Sequence, residues 1–116
     1  MTNRWLDLVE VVGDSMAPTL QPGDLVVAEQ LTYRRRAPRN GEIVLVADPR
    51  EPTRELIKRV VGVDADGVEL HGENPPRSTD SRTFGRVPTP SIRWRAVARY
   101  WPPRRAGRIA GPTLTG

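Results

Sequence analysis

The chain has 116 residues, a formal net charge of +4 and 37% hydrophobic residues, among them only three Trp, two Tyr and one Phe. That suits one compact domain whose modest core rests on Val, Leu and Ile, residues that pack well on pleated sheets. Ten Gly and 12 Pro argue against long helices, the absence of Cys excludes disulfides, thiolate catalysis and cysteine metal sites, and no run approaches the roughly 20 apolar residues of a membrane-spanning helix.

Residues 5–12 read as an extended segment carrying Leu8, Val9, Val11 and Val12, and the charges of Arg4, Asp7 and Glu10 do not fit a signal peptide. The triplet Gly13-Asp14-Ser15 interrupts it as a turn. Residues 16–20 follow as one helical turn or a loop. In Gln21-Pro22-Gly23-Asp24, Pro presets φ and Gly supplies a positive φ, so a turn precedes a strand at 25–28. Residues 32–40 are basic and predict an exposed loop. Gly41-Glu42 opens a strand at 43–46, and residues 48–53, with two prolines, predict another loop. Residues 55–63 are the longest strand candidate. Asp66-Gly67 is a favoured hairpin pair, with residues 68–70 as the return strand. Residues 72–85 hold little apolar material beyond Phe84, and loops of this length are usually functional or disordered. A last strand covers 92–98. From Pro102 the chain reads as a flexible basic tail. This spacing predicts a mostly β fold, a small coiled antiparallel sheet or partly open barrel. One domain is expected over residues 1–101, followed by a tail over 102–116.

The basic residues cluster at Arg34, Arg35, Arg36 and Arg39, and again from Arg93 to Arg108. A solvated basic surface explains them more simply than nucleic-acid binding, because the aromatic residues do not interleave with the arginines as a stacking platform requires.

Three elements carry candidate chemistry. Ser15 sits in a turn, where a hydroxyl becomes a nucleophile once it is given a base. Gly13 lets the backbone approach a substrate carbonyl, and the N–H of Ser15 can face the developing oxyanion. Lys58 lies in the 55–63 strand, where alternation puts it on one face with Leu56 and Val60. An ordinary lysine is protonated at neutral pH; apolar neighbours disfavour the ammonium and make it usable as a base. The 72–85 loop offers Ser78, whose hydroxyl can hold a neutral Lys58 amine, and Asp80 with Arg82, which can brace the loop. His71 is the lone histidine and reads as structural or exposed. With no cysteine beside it, neither a dedicated metal site nor a cofactor is expected.

Taken in order, Gly13-Asp14-Ser15-Met16-Ala17-Pro18-Thr19-Leu20, then Ile57-Lys58-Arg59-Val60-Val61-Gly62, then Gly72-Glu73-Asn74 through Asp80-Ser81-Arg82 to Pro88 resemble the signal peptidase I family over roughly residues 9–101. The resemblance implies a signal-peptidase catalytic-core fold and a Ser–Lys dyad, with Ser15 as nucleophile and Lys58 as general base. It also implies that Ser78 orients the lysine, that Asp80 and Arg82 form the bracing ion pair, and that Met16 lies beside the substrate cleft. Substrates of the family bind as an extended strand. Position 13 is Gly where some members carry an oxyanion-assisting Ser, so backbone donors at Ser15 and Gly13 are left to serve. Gly72-Glu73-Asn74 replaces the commoner Gly-Asp-Asn. The compact Ser78–Arg82 stretch and the Ala98-Arg99-Tyr100-Trp101-Pro102 ending look like the small, anchorless maturation proteases of nickel-type superoxide dismutase. That likeness implies a cytoplasmic enzyme that removes an N-terminal extension from a precursor whose own residues bind the nickel. The other expectations weighed are signal-peptidase-like processing of membrane or exported preproteins and, from a different class, a non-catalytic nucleic-acid-binding β-barrel.

Overall fold

The computed structural model describes residues 5–74 and 79–109. Seven strands follow in chain order: β1 Leu6–Glu10, β2 Leu25–Glu29, β3 Ile43–Asp48, β4 Glu51–Asp64, β5 Gly67–His71, β6 Trp94–Trp101 and β7 Gly107–Arg108. They form one antiparallel sheet in the order β1-β2-β6-β3-β4-β5, with β7 also paired to β6. The sheet is not closed into a barrel, so the mostly β, partly open expectation holds. Among the described residues, one short helix, α1 at Ser81–Phe84, and 3₁₀ turns at Thr32–Arg34, Thr89–Ser91 and Pro103–Arg105 accompany the strands.

The strands follow from their side-chain patterns. In β2 the buried residues alternate as Val26 and Ala28, as expected where one face meets a core. In β3 both faces are buried at Ile43, Val44, Leu45 and Val46, which identifies the central strand. Two cores result. Val44, Val46, Leu56, Val60, Val68, Leu70, Val87 and Ile92 pack together in one. Val11, Met16, Leu20, Val26, Ile43, Ala96 and Ile109 form the other.

The 48–53 segment, expected as a loop, is instead a tight connection at Pro49-Arg50, and β4 begins at Glu51. The Asp48 carboxylate accepts the N–H of Arg50 at 2.9 Å, closing a local turn that makes a longer loop unnecessary. At the other end of β4 the hairpin is tight as expected. Gly67 has φ +120°, and a Cβ there would stand 2.4 Å from the Val87 carbonyl oxygen, so only glycine fits.

Past Trp101 the chain remains packed as far as Ile109. Gly107 and Arg108 pair with Arg99 and Ala98, taking the length of β6 beyond its pairing with β3. Arg105 binds the buried Asp24 carboxylate at 2.9 Å.

Candidate active site

Ser15 stands on a turn built from both ends of its own segment. The N–H of Val11 donates to Asp24 O at 2.8 Å, and that of Gly23 donates to Val11 O at 2.9 Å, so residues 11–24 leave and rejoin the sheet at one place. Gly13 has φ +83°, a conformation that side-chain-bearing residues rarely adopt, and it redirects the chain out of β1. The N–H of Ala17 donates to Asp14 O, and that of Leu20 to Met16 O at 2.9 Å, giving about one helical turn. Met16 and Leu20, four residues apart, are fully buried in the second core and anchor this turn from beneath. Met16, expected beside the substrate cleft, therefore faces the core and does not line the groove described below. Ser15 is half-buried.

Lys58 lies in the middle of β4, opposite Val44 of β3, with Leu56 and Val60 on the same buried face. Only 2% of it is exposed. Burial is the largest influence on its amine and lowers the pKa from its ordinary value. Asp80 opposes that effect, whereas Arg54 and Arg82 reinforce it.

Asp80 is 1% exposed and serves several donors at once. It caps α1 by accepting the N–H of Arg82 at 3.0 Å, accepts the N–H of Gly72 at 2.8 Å, and binds the Arg82 guanidinium at 2.5 Å. Burial alone would raise its pKa. The hydrogen bonds from Arg82 and Gly72 outweigh that and hold the carboxyl well below the usual carboxylate range. Arg82 also donates to Gly72 O at 3.2 Å, so the pair ties α1 to the end of β5. Ser78 lies outside the described residues.

Two residues that the sequence reading passed over prove central. The N–H of Asn74 donates to Ser15 O at 2.9 Å, and its side-chain amide donates to Asp14 O at 3.1 Å. Glu73 accepts from the Thr19 hydroxyl and from Arg59, whose guanidinium also donates to Gly41 O at 2.7 Å. Their signal was present in Gly72-Glu73-Asn74, but a polar tripeptide does not disclose which distant backbone it binds.

Ser15 and Lys58 both line one groove of about 410 Å³. One wall runs along Val9, Glu10, Val12, Gly13, Asp14 and Ser15, and the other along Arg54, Glu55, Leu56, Ile57 and Lys58, with Leu45 and Thr79 also at the lining. Val9 and Glu10 belong to β1 and residues 54–58 to β4, so two strands contribute to the walls. Among the described residues, β1 pairs only with β2, and β5 pairs with β4 only from Arg59 onward. Two strand edges thus border the groove with ladder positions unfilled by the described chain, an arrangement that accepts an extended peptide. The walls bring Ser15, Gly13 and Lys58 together; Asp80 and Arg82 brace the site from behind, and His71 stands apart, paired with Glu69 at 2.8 Å.

A larger notch of about 570 Å³ includes Tyr33, Arg34, Arg36 and Arg93 in its lining but contains no nucleophile with a base. The buried Glu42 carboxylate beneath this region gathers Arg36, Arg95 and the Tyr33 hydroxyl, accounting for part of the arginine cluster structurally. Among the described residues, no group of His, Asp or Glu could hold a metal ion, and no helix is long and apolar enough to cross a membrane.

A strand-walled groove holding a serine on a glycine turn and a buried lysine defines the class of small β peptidases. Residues 1–73 match the signal peptidase family model, peptidase S26. The chain is 35% identical to the mitochondrial ATP-independent inner membrane protease subunit 1a of Arabidopsis thaliana, over 94% of this chain and 79% of that protein. It is 34% identical to the human mitochondrial inner membrane protease subunit 1, over 78% of this chain and 66% of that protein, and 27% identical to a signal peptidase I of Leptolyngbya laminosa, over 88% and 72%. The chain belongs to the signal peptidase S26 family of serine proteases.

Proposed function

We propose that this chain is a processing endopeptidase in which Ser15 is the nucleophile and Lys58 the general base, and that it removes an N-terminal extension from a precursor protein. The observation that carries this reading is the placement of a 2%-exposed lysine and a turn-borne serine in the lining of one strand-edged groove. The scissile segment enters as an added strand. Ser15 Oγ attacks the carbonyl carbon while neutral Lys58 takes the hydroxyl proton. The negative oxygen of the tetrahedral intermediate is met by backbone N–H groups at Ser15 and Gly13. Lys58 then protonates the leaving amine, and a water deprotonated by the same amine hydrolyses the acyl-enzyme. The family resemblance gives Ser78 the role of orienting the lysine amine, and Asp80 with Arg82 forms the bracing ion pair.

The precursor we favour is that of nickel-type superoxide dismutase, cleaved in the cytoplasm. The likeness of the compact loop through Arg82 and of the Ala98–Pro102 ending to those maturation proteases supports this substrate. The nickel is cargo of the substrate. A peptide spanning the precursor junction tests the proposal. Ser15→Ala and Lys58→Ala should each lower cleavage by at least about a thousandfold, and undiminished cleavage by either variant rejects the dyad.

A second reading, processing of membrane or exported preproteins, is favoured by the names of the inner-membrane relatives and by the exposed Trp5, Leu6, Leu8 and Val12 along β1 and its flanks. Fractionation separates the two: recovery only with membranes supports the second reading and rejects the cytoplasmic one.

A further inference from the structure

The nucleophile turn is held from outside by one residue 60 positions away in sequence. The side-chain amide of Asn74 donates to Asp14 O at 3.1 Å, and the Asn74 N–H donates to Ser15 O at 2.9 Å. Asp14 O and the Ser15 N–H belong to the same planar peptide unit, in which a trans bond sets carbonyl and N–H in opposite directions. Fixing the carbonyl toward Asn74 therefore aims the Ser15 N–H away from it. The second bond fixes the next peptide plane, so both planes flanking the Ser15 side chain are constrained. The adjacent Glu73 extends the hold, binding Thr19 at the end of the same turn and Arg59, the neighbour of Lys58. The turn's own bond, Ala17 N–H to Asp14 O at 3.1 Å, meets the same carbonyl, so Asp14 O accepts from within the turn and from Asn74 outside it.

We propose that Asn74 is a positioning residue, and that its side-chain amide sets the orientation of the Ser15 N–H as an oxyanion donor. The inference rests on Ser15 being the nucleophile. A misaimed donor loses most of its stabilisation of the tetrahedral oxygen while binding of the planar substrate carbonyl is little affected. The expected signature is consequently a fall in kcat with KM nearly constant.

The experiment compares the wild-type chain with Asn74→Ala, Asn74→Asp and Ser15→Ala on a precursor-junction peptide. Asn74→Ala keeps the backbone bond to Ser15 and deletes only the amide. Asn74→Asp keeps the size but sets a carboxylate oxygen against the Asp14 carbonyl, and it serves as the test should the alanine variant not fold. Both should lower kcat by at least about tenfold with KM unchanged, and the uncharged Asn74→Ala should also leave the midpoint of the pH–rate profile unchanged. Affinity for a peptide aldehyde, whose addition product places an oxygen in the oxyanion position, should fall by a similar factor. Wild-type kcat and aldehyde affinity in a folded Asn74 variant overturn the proposal, as does a loss confined to KM. Cleavage that survives Ser15→Ala instead overturns the reading beneath it, so the two failures are told apart.

Discussion

A lysine buried opposite Val44 and beside Leu56 and Val60 weighs on the stability of the fold. Its pKa is lowered chiefly by burial, so the folded chain binds a proton at Lys58 less readily than the unfolded chain does. As pH falls from the ordinary lysine value of about 10.5 toward the lowered folded value, the unfolded state gains the proton first and stability declines. Lys58→Met removes this penalty. It should raise the thermal midpoint at pH 7, with a gain that shrinks as pH approaches 10, while cleavage is abolished. A lower midpoint at pH 7 would show that the lysine is not penalised in the folded state. The same chemistry fixes the direction of the activity profile. With Lys58 as the proposed base, active when neutral, kcat/KM should rise with pH through the Lys58 titration. Arg54, exposed in the groove, favours the neutral amine by repulsion. Arg54→Glu replaces repulsion with attraction, so the acid limb of the pH–rate profile should move to higher pH, most visibly at low salt because Arg54 itself is solvent-exposed.

At the scale of elements, the site depends on short segments whose positions are set by side chains. Asp80 both caps α1 and accepts the N–H of Gly72, holding the end of β5 against the helix. Asp80→Asn keeps the shape but loses the charge-assisted bonds from Arg82. It should cost about 1–3 kcal/mol in urea unfolding at pH 7. The lowered carboxyl pKa sets the pH window: this stability is present above the ordinary aspartate value and is lost as pH falls through it toward the folded one. Wild type and variant should therefore converge in acid, and a constant difference down to pH 2 would argue against the charge. How much of this was legible follows from the type of signal. The face shared by Leu56, Lys58 and Val60 was readable because strand alternation is a local rule, and β2, β3 and the Gly67 hairpin were readable for similar reasons. The start of β4 was not, because Pro49 and Pro52 mark a break whose length is decided by Asp48 turning the chain at Arg50. The burial of Met16 was not legible because its family position says only what lies nearby, whereas its packing with Leu20 in the core decides which way it faces. Asn74 escaped notice because both its acceptors are backbone carbonyls, which leave no trace in residue identity.

The two cores give the whole molecule a division of labour. One lies beneath Lys58 on the face of β3 and β4, and the other lies beneath the turn that carries Ser15. The wall bearing Lys58 and the wall bearing Ser15 thus rest on different packed clusters, and their relative placement is a property of the sheet that joins them. The second core is closed by the far end of the chain. Ile109, 8% exposed, packs with Met16 and Leu20, while Arg105 and Arg99 converge on Asp24 at the base of the same turn. Arg99 also donates to Thr19 O at 2.7 Å, so the strand that pairs with β7 holds the turn directly. Sequence could not announce this, because an isolated isoleucine among Arg, Gly and Pro has no periodicity with which to declare a face. The physical consequence is testable at a site more than 90 residues from Ser15. Ile109→Ala should destabilise the fold by about 2 kcal/mol, toward the low end for an isoleucine truncated in a core because the residue sits at the core's margin. Activity should report the location of that loss. Below the unfolding transition, kcat for a precursor-junction peptide should fall, because the turn beneath Ser15 loosens, while the pH–rate midpoint set by Lys58 in the other core stays fixed. The comparison is Val68→Ala, a truncation in the first core of similar expected cost, which should act on the Lys58 side instead. Equal shifts in the pH midpoint for both variants would mean that the cores act as one body and that the division does not hold.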